Sequence, residues 1–118
     1  MIYLLIGVGA FFGAVSRFLL SSLLSKLAFF GFPLGTLTVN LIGCFFIGIF
    51  LAVNLSNKEL FSPLLIIGFL GSFTTFSAFT KEVLFFSTTS GIFMAYLIAL
   101  IITSFCLLST FIGYKMFA

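Results

Sequence analysis

The sequence predicts an all-α integral membrane protein with four transmembrane helices, of which the third is broken near the middle of the membrane. The composition is the first reason: 63% of the 118 residues are hydrophobic and only 6% are charged, and the mean hydropathy is +1.45. A soluble domain of this size could not bury so much apolar surface. In addition, charged and turn residues divide the chain into four apolar stretches, and glycine and hydroxyl residues interrupt the third of them.

The four apolar stretches form a single predicted transmembrane domain over residues 1–118. The predicted helices lie at approximately 2–24, 33–53, 60–86 and 91–117. Each has the ~20 residues that crossing a hydrocarbon core requires. The predicted connections are short and comprise residues 25–32, 54–59 and 87–90. The first stretch lacks a basic start and a small-residue cleavage site, so we interpret it as a helix and not as a removable signal peptide.

The interruption of the third stretch lies in residues 68–79, which read GFLGSFTTFSAF. Glycine and hydroxyl residues disfavour the helix and allow the backbone to leave its hydrogen-bond ladder. In hydrocarbon, the N–H and C=O groups freed in this way are tolerated only where protein or a cavity satisfies them. A broken helix at this depth therefore predicts an ion or substrate site.

The first helix carries a glycine pair followed by a charge. Gly9 and Gly13 have the GxxxG spacing that lets helix backbones approach closely in lipid, so we expect them to pack against another helix. Arg17 continues the same face. A charge within a span is a candidate functional residue by default, but Arg17 is close enough to the helix end to reach the interface. We expect structural anchoring ahead of direct contact with an ion.

The second helix places Thr36, Asn40 and Gly43 on one face, at positions i, i+4 and i+7. The Asn40 amide has two interpretations. It could hydrogen-bond to a neighbouring helix, which is a common role of Asn in membranes, or it could be a donor along a polar pathway. The strip of small and polar residues around it favours the pathway, since an amide can hold an anion without the tight binding of a Lys.

Aromatic and polar residues continue into the last two helices. Phe76 and Phe79 could be packing residues, or their positive ring edges could face an anion pathway. Glu82, near the predicted helix end, is either a solvated charge paired with a Lys or a vestibule residue. Tyr96 is the best polar candidate on the fourth helix, and Thr103 on the same stripe is a weaker one.

The side chains available for other chemistry are few. The chain has no His, Asp or Trp, and its acids are Glu59 and Glu82. Cys44 and Cys106 lie in separate apolar stretches without paired spacing, so we interpret both as small core residues and expect no metal or redox site there. The sequence predicts a protein that is not an enzyme and has no nucleic-acid partner.

The positive charges on the two predicted sides of the membrane nearly balance. With four spans, Lys58 and Lys115 share one side, whereas Lys26 and Lys81 share the other, with Arg17 toward the same end of its helix. The positive-inside rule therefore decides no orientation. Either something else sets the orientation, or copies insert both ways. Because four helices are too few to enclose a pore, we expect a functional pathway at an oligomer interface.

Three motifs resemble the small bacterial fluoride channels of the Fluc, or CrcB, family. They are GAVSRF at 13–18, GTLTVNLIGCFFIG at 35–48 and GFLGSFTTFSAF at 68–79, and the resemblance extends over essentially the whole chain. It implies an antiparallel dual-topology dimer with two pores, most simply a homodimer, although a heterodimer with a paralogue is an alternative. It also implies a lipid-embedded, multi-pass protein of the bacterial inner membrane that passively exports cytoplasmic fluoride and so lowers its toxicity.

The resemblance also implies roles for individual residues. A structural Na⁺, which is not transported, would be held at the dimer interface by the backbone carbonyls of Gly71 and Thr74 from both subunits. The implied fluoride pathway comprises Asn40, Phe76, Phe79, Ser77, Thr36 and Tyr96. Arg17 and Glu82 match vestibule or structural positions. One departure is Ala78, where a hydroxyl residue is common in the family.

Two other classes of protein share some of these features. A small dual-topology exporter of cationic drugs would have the same size and charge balance, but it needs a carboxylate in the middle of the membrane, and the sequence places none there. A structural subunit without transport activity would gain little from polar strips on three helices. A fluoride channel remains the preferred prediction.

Overall fold

The computed structural model describes residues 1–29, 31–53 and 58–118. In chain order the elements are α1 (Ile2–Leu23), β1 (Ala28–Phe29), β2 (Phe32–Pro33), α2 (Leu34–Ala52), α3 (Lys58–Phe61), a π-helix (Ser62–Leu70), α4 (Gly71–Phe73), α5 (Ser77–Ser90) and α6 (Ile92–Phe117). Helices α1, α2 and α6, and the composite helix Lys58–Ser90, are each long and apolar enough to cross a membrane. The all-α, multi-pass membrane class predicted from the sequence is confirmed.

The break in the third transmembrane helix is where the sequence predicts it. Helix α4 ends at Phe73, because Thr74 takes an extended conformation with ψ of 154°. The helix resumes at Ser77. The segment preceding the break, Ser62–Leu70, is a π-helix that begins with Pro63 in its first turn, and π-helical segments are rare and often accompany functional sites.

The connections differ from those predicted. Residues 87–90 are helical and not a loop, because the hydroxyls of Ser87, Thr88 and Thr89 each donate to the carbonyl three residues earlier. The turn into α6 is made by Gly91 alone, whose φ of 89° favours glycine. The first connection contains the antiparallel pair of β1 and β2, with Phe30 outside the described residues. Of the predicted connection at 54–59, residues 54–57 are also outside them, and the remainder belongs to α3.

Two close helix pairs organise the four spans. Helix α1 packs on the π-helix, where a methyl group added at Gly9 or Gly13 would overlap the backbone carbonyl of Leu64 or Phe69. The predicted packing role of the GxxxG pair is therefore confirmed. Helix α2 packs on α6 in the same manner. There, a methyl group at Gly48 would overlap the Thr110 carbonyl, and one at Gly113 would overlap the Phe45 carbonyl.

A small buried cluster joins α5 to these pairs. It contains Phe32, Phe79 and Ile102, with Val83 and Phe86 packed against it. Most other large apolar side chains are exposed on a single copy of the chain, as lipid contact or a partner in the membrane requires. The core therefore holds α5, the part of the third helix that follows the break, against α6. The break itself lies near the surface of one copy.

The glycine packing of α1 makes a prediction about stability. We expect Gly13→Ala to lower the free energy of unfolding by about 1–3 kcal/mol, the usual cost of overpacking, because the methyl group pushes α1 away from Phe69. Gly7→Ala is the matched control, since its methyl group meets nothing within 4 Å. Denaturant titration in detergent, followed by circular dichroism, would measure both. Equal stability of the two variants would show that the close approach contributes nothing.

Candidate functional site

The site is built around the backbone of the break. The Thr74 amide still donates to the Leu70 carbonyl at 3.1 Å, and regular bonding resumes where the Thr80 amide donates to the Phe76 carbonyl at 2.9 Å. Between these two bonds, backbone groups must find partners outside the helical ladder, since buried polar groups are rarely left unpaired. Side chains from α1, α2 and the break itself supply them.

Asn40 on α2 binds both backbone groups of Thr75. Its Nδ2 donates to the Thr75 carbonyl at 2.9 Å, and its Oδ1 accepts from the Thr75 amide at 2.8 Å. In an unbroken helix the Thr75 amide would instead donate to the carbonyl of Gly71. Asn40 therefore has the interhelical role, and this contact uses only one of the two hydrogens of its amide, so the pathway role stays a prediction.

The side chain of Thr75 diverts a second backbone amide. Its Oγ1 accepts a hydrogen bond from the Ala78 amide at 3.2 Å, which is the role of a capping hydroxyl at the start of α5. In a continuous helix the Ala78 amide would pair with the carbonyl of Thr74. The carbonyls of Gly71 and Thr74 are the two that are expected to hold Na⁺. The amides that would pair with them in a continuous helix donate to other oxygens instead.

Arg17 stabilises the break from α1. Its Nε donates to the Ser72 carbonyl at 3.0 Å, and in a continuous helix that carbonyl would pair with the amide of Phe76. A charged donor gives a stronger hydrogen bond than a neutral one. The contact agrees with the expected anchoring role of Arg17.

Thr36 and Glu82 form a second polar contact, one that the sequence did not reveal. The Thr36 hydroxyl donates to Oε1 of Glu82 at 2.6 Å, and Thr36 is buried. The Oε2 atom is also buried and has no hydrogen-bond partner within residues 1–29, 31–53 and 58–118. Glu82 is therefore partly buried, and both roles predicted for it, an end charge paired with a Lys and a vestibule residue, stay predictions.

Three of the expected pathway residues meet at one cavity. Asn40, Phe76 and Phe79 line an open cavity of about 220 Å³ beside the break, together with Thr74, Thr75 and Thr103. The rings of Phe76 and Phe79 are 6.0 Å apart and tilted at 47°. Their environments differ, because Phe79 is 8% exposed whereas Phe76 is 76% exposed. Phe79 is thus a core residue as well as a lining residue, and Phe76 projects from the surface of a single copy.

Other predicted residues lie around this cavity and not in it. Tyr96 lines a neighbouring cavity of about 570 Å³, which Phe76, Phe79 and Thr103 also line. Ser77 is exposed at the start of α5, and its hydroxyl is 3.5 Å from that of Thr75. The structure therefore brings Tyr96 to the same aromatic pair from the other side, and leaves Ser77 at the rim of the break.

The two cysteines are closer than the sequence suggests. Cys44 on α2 and Cys106 on α6 line the same cavity, the one that Asn40 also lines. Both are half-buried on one copy, and the prediction of small core residues without a metal or redox site stays a prediction. No signal in the sequence reveals this pair, because the residues belong to different spans and become neighbours only through the packing of α2 on α6.

Comparison with known proteins agrees with these observations. A family model described as "CrcB-like protein, Camphor Resistance (CrcB)" matches residues 4–114, which is nearly the whole chain. The chain belongs to the CrcB family. Among CrcB relatives, the fluoride-specific ion channel FluC of Campylobacter lari is 41% identical over 120 residues, which cover 97% of this chain and 95% of the relative.

Further CrcB relatives carry the same name. The fluoride-specific ion channel FluC of Ruminiclostridium cellulolyticum is 41% identical over 118 residues, covering 96% of this chain and 88% of the relative. That of Elusimicrobium minutum is 35% identical over 114 residues, covering 96% of this chain and 90% of the relative. The sequence similarity therefore extends over all four transmembrane helices, including the break in the third.

Proposed function

We propose that the protein is a passive fluoride-selective channel that exports cytoplasmic fluoride. The observation that supports this most directly is the cavity beside the break, where Asn40 and the rings of Phe76 and Phe79 meet. Relatives that are 41% identical over most of their length are named fluoride-specific ion channels. The membrane potential, which is negative inside, drives fluoride outward through a selective anion channel. No ATP or proton carrier is needed.

The chemistry of the cavity suits a small, strongly hydrated anion. The second Nδ2 hydrogen of Asn40 can donate to fluoride while the first holds Thr75. The edges of aromatic rings carry partial positive charge, so Phe76 and Phe79 can replace part of the hydration shell. The groups that line the cavity are uncharged. Binding therefore stays weak enough for the ion to leave, which conduction requires.

The carbonyls of Gly71 and Thr74 fit the structural Na⁺ that the family resemblance implies. Their helical donors are engaged by Asn40 and by Thr75, and oxygen ligands suit a hard cation. When bound, Na⁺ would supply positive charge that holds the break together. One chain offers two such carbonyls, and a second, antiparallel copy would supply the others.

The antiparallel homodimer accounts for two further observations. Phe76 is 76% exposed on one copy, and a partner would cover it. The nearly balanced lysines permit insertion in both orientations. In a labelling test, Lys26→Cys or Lys115→Cys is introduced into the variant with Cys44→Ala and Cys106→Ala, and an impermeant thiol reagent is added from each side of the membrane. Both positions should be accessible from both sides. Accessibility of each position from one side only would favour a heterodimer with a paralogue.

Fluoride efflux from liposomes that contain only this protein tests the function. We expect efflux far above that of empty vesicles, with chloride retained, when a potassium ionophore removes the opposing potential. A fluoride electrode outside the vesicles measures the release. Efflux no faster than from empty vesicles would end the proposal, and export of a cationic dye driven by a proton gradient would favour the drug-exporter class.

Removal of sodium tests the ion at the break separately. We expect fluoride efflux to fall at least roughly tenfold, equivalent to about 1.4 kcal/mol, when N-methyl-D-glucamine replaces Na⁺ during purification and assay. Returning Na⁺ should restore the flux, because the carbonyls of Gly71 and Thr74 regain the cation that they coordinate. Full activity through repeated dialysis against a chelator of Na⁺ would contradict the structural role of the ion while leaving the channel proposal intact.

A further inference from the structure

Cys44 and Cys106 come from the two helices of the α2–α6 pair and line one cavity. Both side chains are half-buried. The Thr110 hydroxyl lies beside the second cysteine, because it donates to the Cys106 carbonyl at 3.2 Å. Two thiols from different helices therefore line one small cavity.

The surrounding packing keeps this pair together. One turn toward the start of α2, the Ser109 hydroxyl donates to the Leu41 carbonyl at 2.9 Å. On the other side, the backbones touch, since a methyl group at Gly48 would overlap the carbonyl of Thr110. On α2 these two contacts lie on either side of Cys44, whereas on α6 both follow Cys106 within about one turn. A pair held in this way is preorganised for any ligand that binds both sulfurs, because little freedom is left to lose.

The pair also opens to the cavity beside the break. Cys44 and Cys106 line the same 220 Å³ space as Asn40, Phe76 and Phe79. An ion that reaches those residues can therefore reach the thiols. The chain has only these two cysteines, so any thiol chemistry of the protein takes place at this point.

We propose that Cys44 and Cys106 form a binding site for one soft, two-coordinate metal cation, such as Hg²⁺ or Cu⁺, and that occupation of this site closes the adjacent pathway. Soft thiolate ligands select such metals. With Hg²⁺, both S–H bonds break, two S–Hg bonds form and two protons are released, so no oxidant or reductant is needed. The bound metal fills part of the cavity. Closure of the pathway rests on the proposed channel function, whereas the metal site does not.

Metal binding is tested first, without any transport assay. Purified protein in detergent is titrated with HgCl₂, and the remaining thiols and the bound metal are counted. We expect one Hg²⁺ per chain and loss of both thiols together. Glutathione should remove the metal from Cys44→Ser or Cys106→Ser at a concentration roughly 100-fold lower than from the unmodified chain, since linking two binding groups commonly raises avidity by about 10²–10⁴. Equal release from all three proteins would overturn the two-thiol site.

Flux measurements test the second half of the proposal. Fluoride efflux from liposomes should fall at least roughly tenfold when one Hg²⁺ binds, equivalent to about 1.4 kcal/mol. The variant Cys44→Ala with Cys106→Ala has no thiol, so its efflux should not respond to Hg²⁺. Unchanged efflux from the metal-loaded, unmodified chain, or equal inhibition of the thiol-free variant, would overturn the link to the pathway. Absence of fluoride efflux before Hg²⁺ is added would count against the channel proposal, and the thiol count would still decide the metal site.

Discussion

Asn40→Asp is expected to reduce fluoride efflux at least roughly 100-fold, equivalent to about 2.7 kcal/mol at 1.36 kcal/mol per tenfold change. The carboxylate keeps an acceptor for the Thr75 amide but loses the Nδ2 group that donates to the Thr75 carbonyl. Two oxygens then face each other. The new negative charge also lies in an anion path, where a like charge 4 Å away costs about 4 kcal/mol at an effective dielectric constant near 20.

A control separates the loss of a helix contact from the loss of an anion donor. Ser109→Ala removes a different hydrogen bond to α2, the one that Ser109 donates to the Leu41 carbonyl, and Ser109 does not line the cavity. Such bonds contribute about 0.6 kcal/mol on average in membrane proteins, so efflux should stay within a few-fold of the unmodified protein. Equal flux in Asn40→Asp and Ser109→Ala would return Asn40 to a packing role. Liposome efflux measures both variants.

Phe76→Ile is expected to lower fluoride efflux roughly tenfold or more, equivalent to about 1.4 kcal/mol, while lowering thermal stability in detergent less than Phe79→Ile does. Isoleucine is apolar and similarly bulky, but it has no aromatic quadrupole with which to contact an anion. Since Phe76 is 76% exposed on one copy, its replacement leaves no hole in the core. Efflux and circular dichroism during thermal unfolding, measured on the same preparation, test the two halves of this expectation.

Two further variants serve as comparisons for Phe76→Ile. Phe79→Ile should lower both efflux and stability, because Phe79 is only 8% exposed and packs with Phe32 and Ile102. Phe85→Ile, on the same helix and 63% exposed, should change neither. If Phe76→Ile behaved like Phe85→Ile, the ring of Phe76 would have no part in conduction. Phe76 is therefore a better probe of the pathway than Phe79.

Much of the architecture could be predicted because it depends on composition and on local sequence. Long apolar runs must become helices in lipid, where every backbone polar group needs a partner within the segment. The break at Thr74 follows from the hydroxyl and glycine residues around it. The end of the third helix was predicted wrongly because the hydroxyls of Ser87, Thr88 and Thr89 bond back to their own helix, whereas clusters of such residues more often indicate a loop.

The candidate site was predictable as a set of residues but not as a set of contacts. The polar strip containing Thr36 and Asn40 was visible from helical spacing. Its partners were not, because Thr36 bonds Glu82 across 46 positions of the chain and Asn40 bonds Thr75 across 35. Spacing shows which face of a helix is polar, and says nothing about the face that it meets.

The sequence alone determined that this protein spans the membrane four times, that its third helix is broken, and that it resembles the CrcB family. Only the tertiary structure decided that Asn40 and Arg17 hold the broken backbone, and that Cys44 and Cys106 line one cavity. The physical reason is the solvent. Lipid dictates the length and polarity of each helix, but it is as apolar as the side chains it touches, so close packing and interhelical hydrogen bonds decide which helices and residues meet.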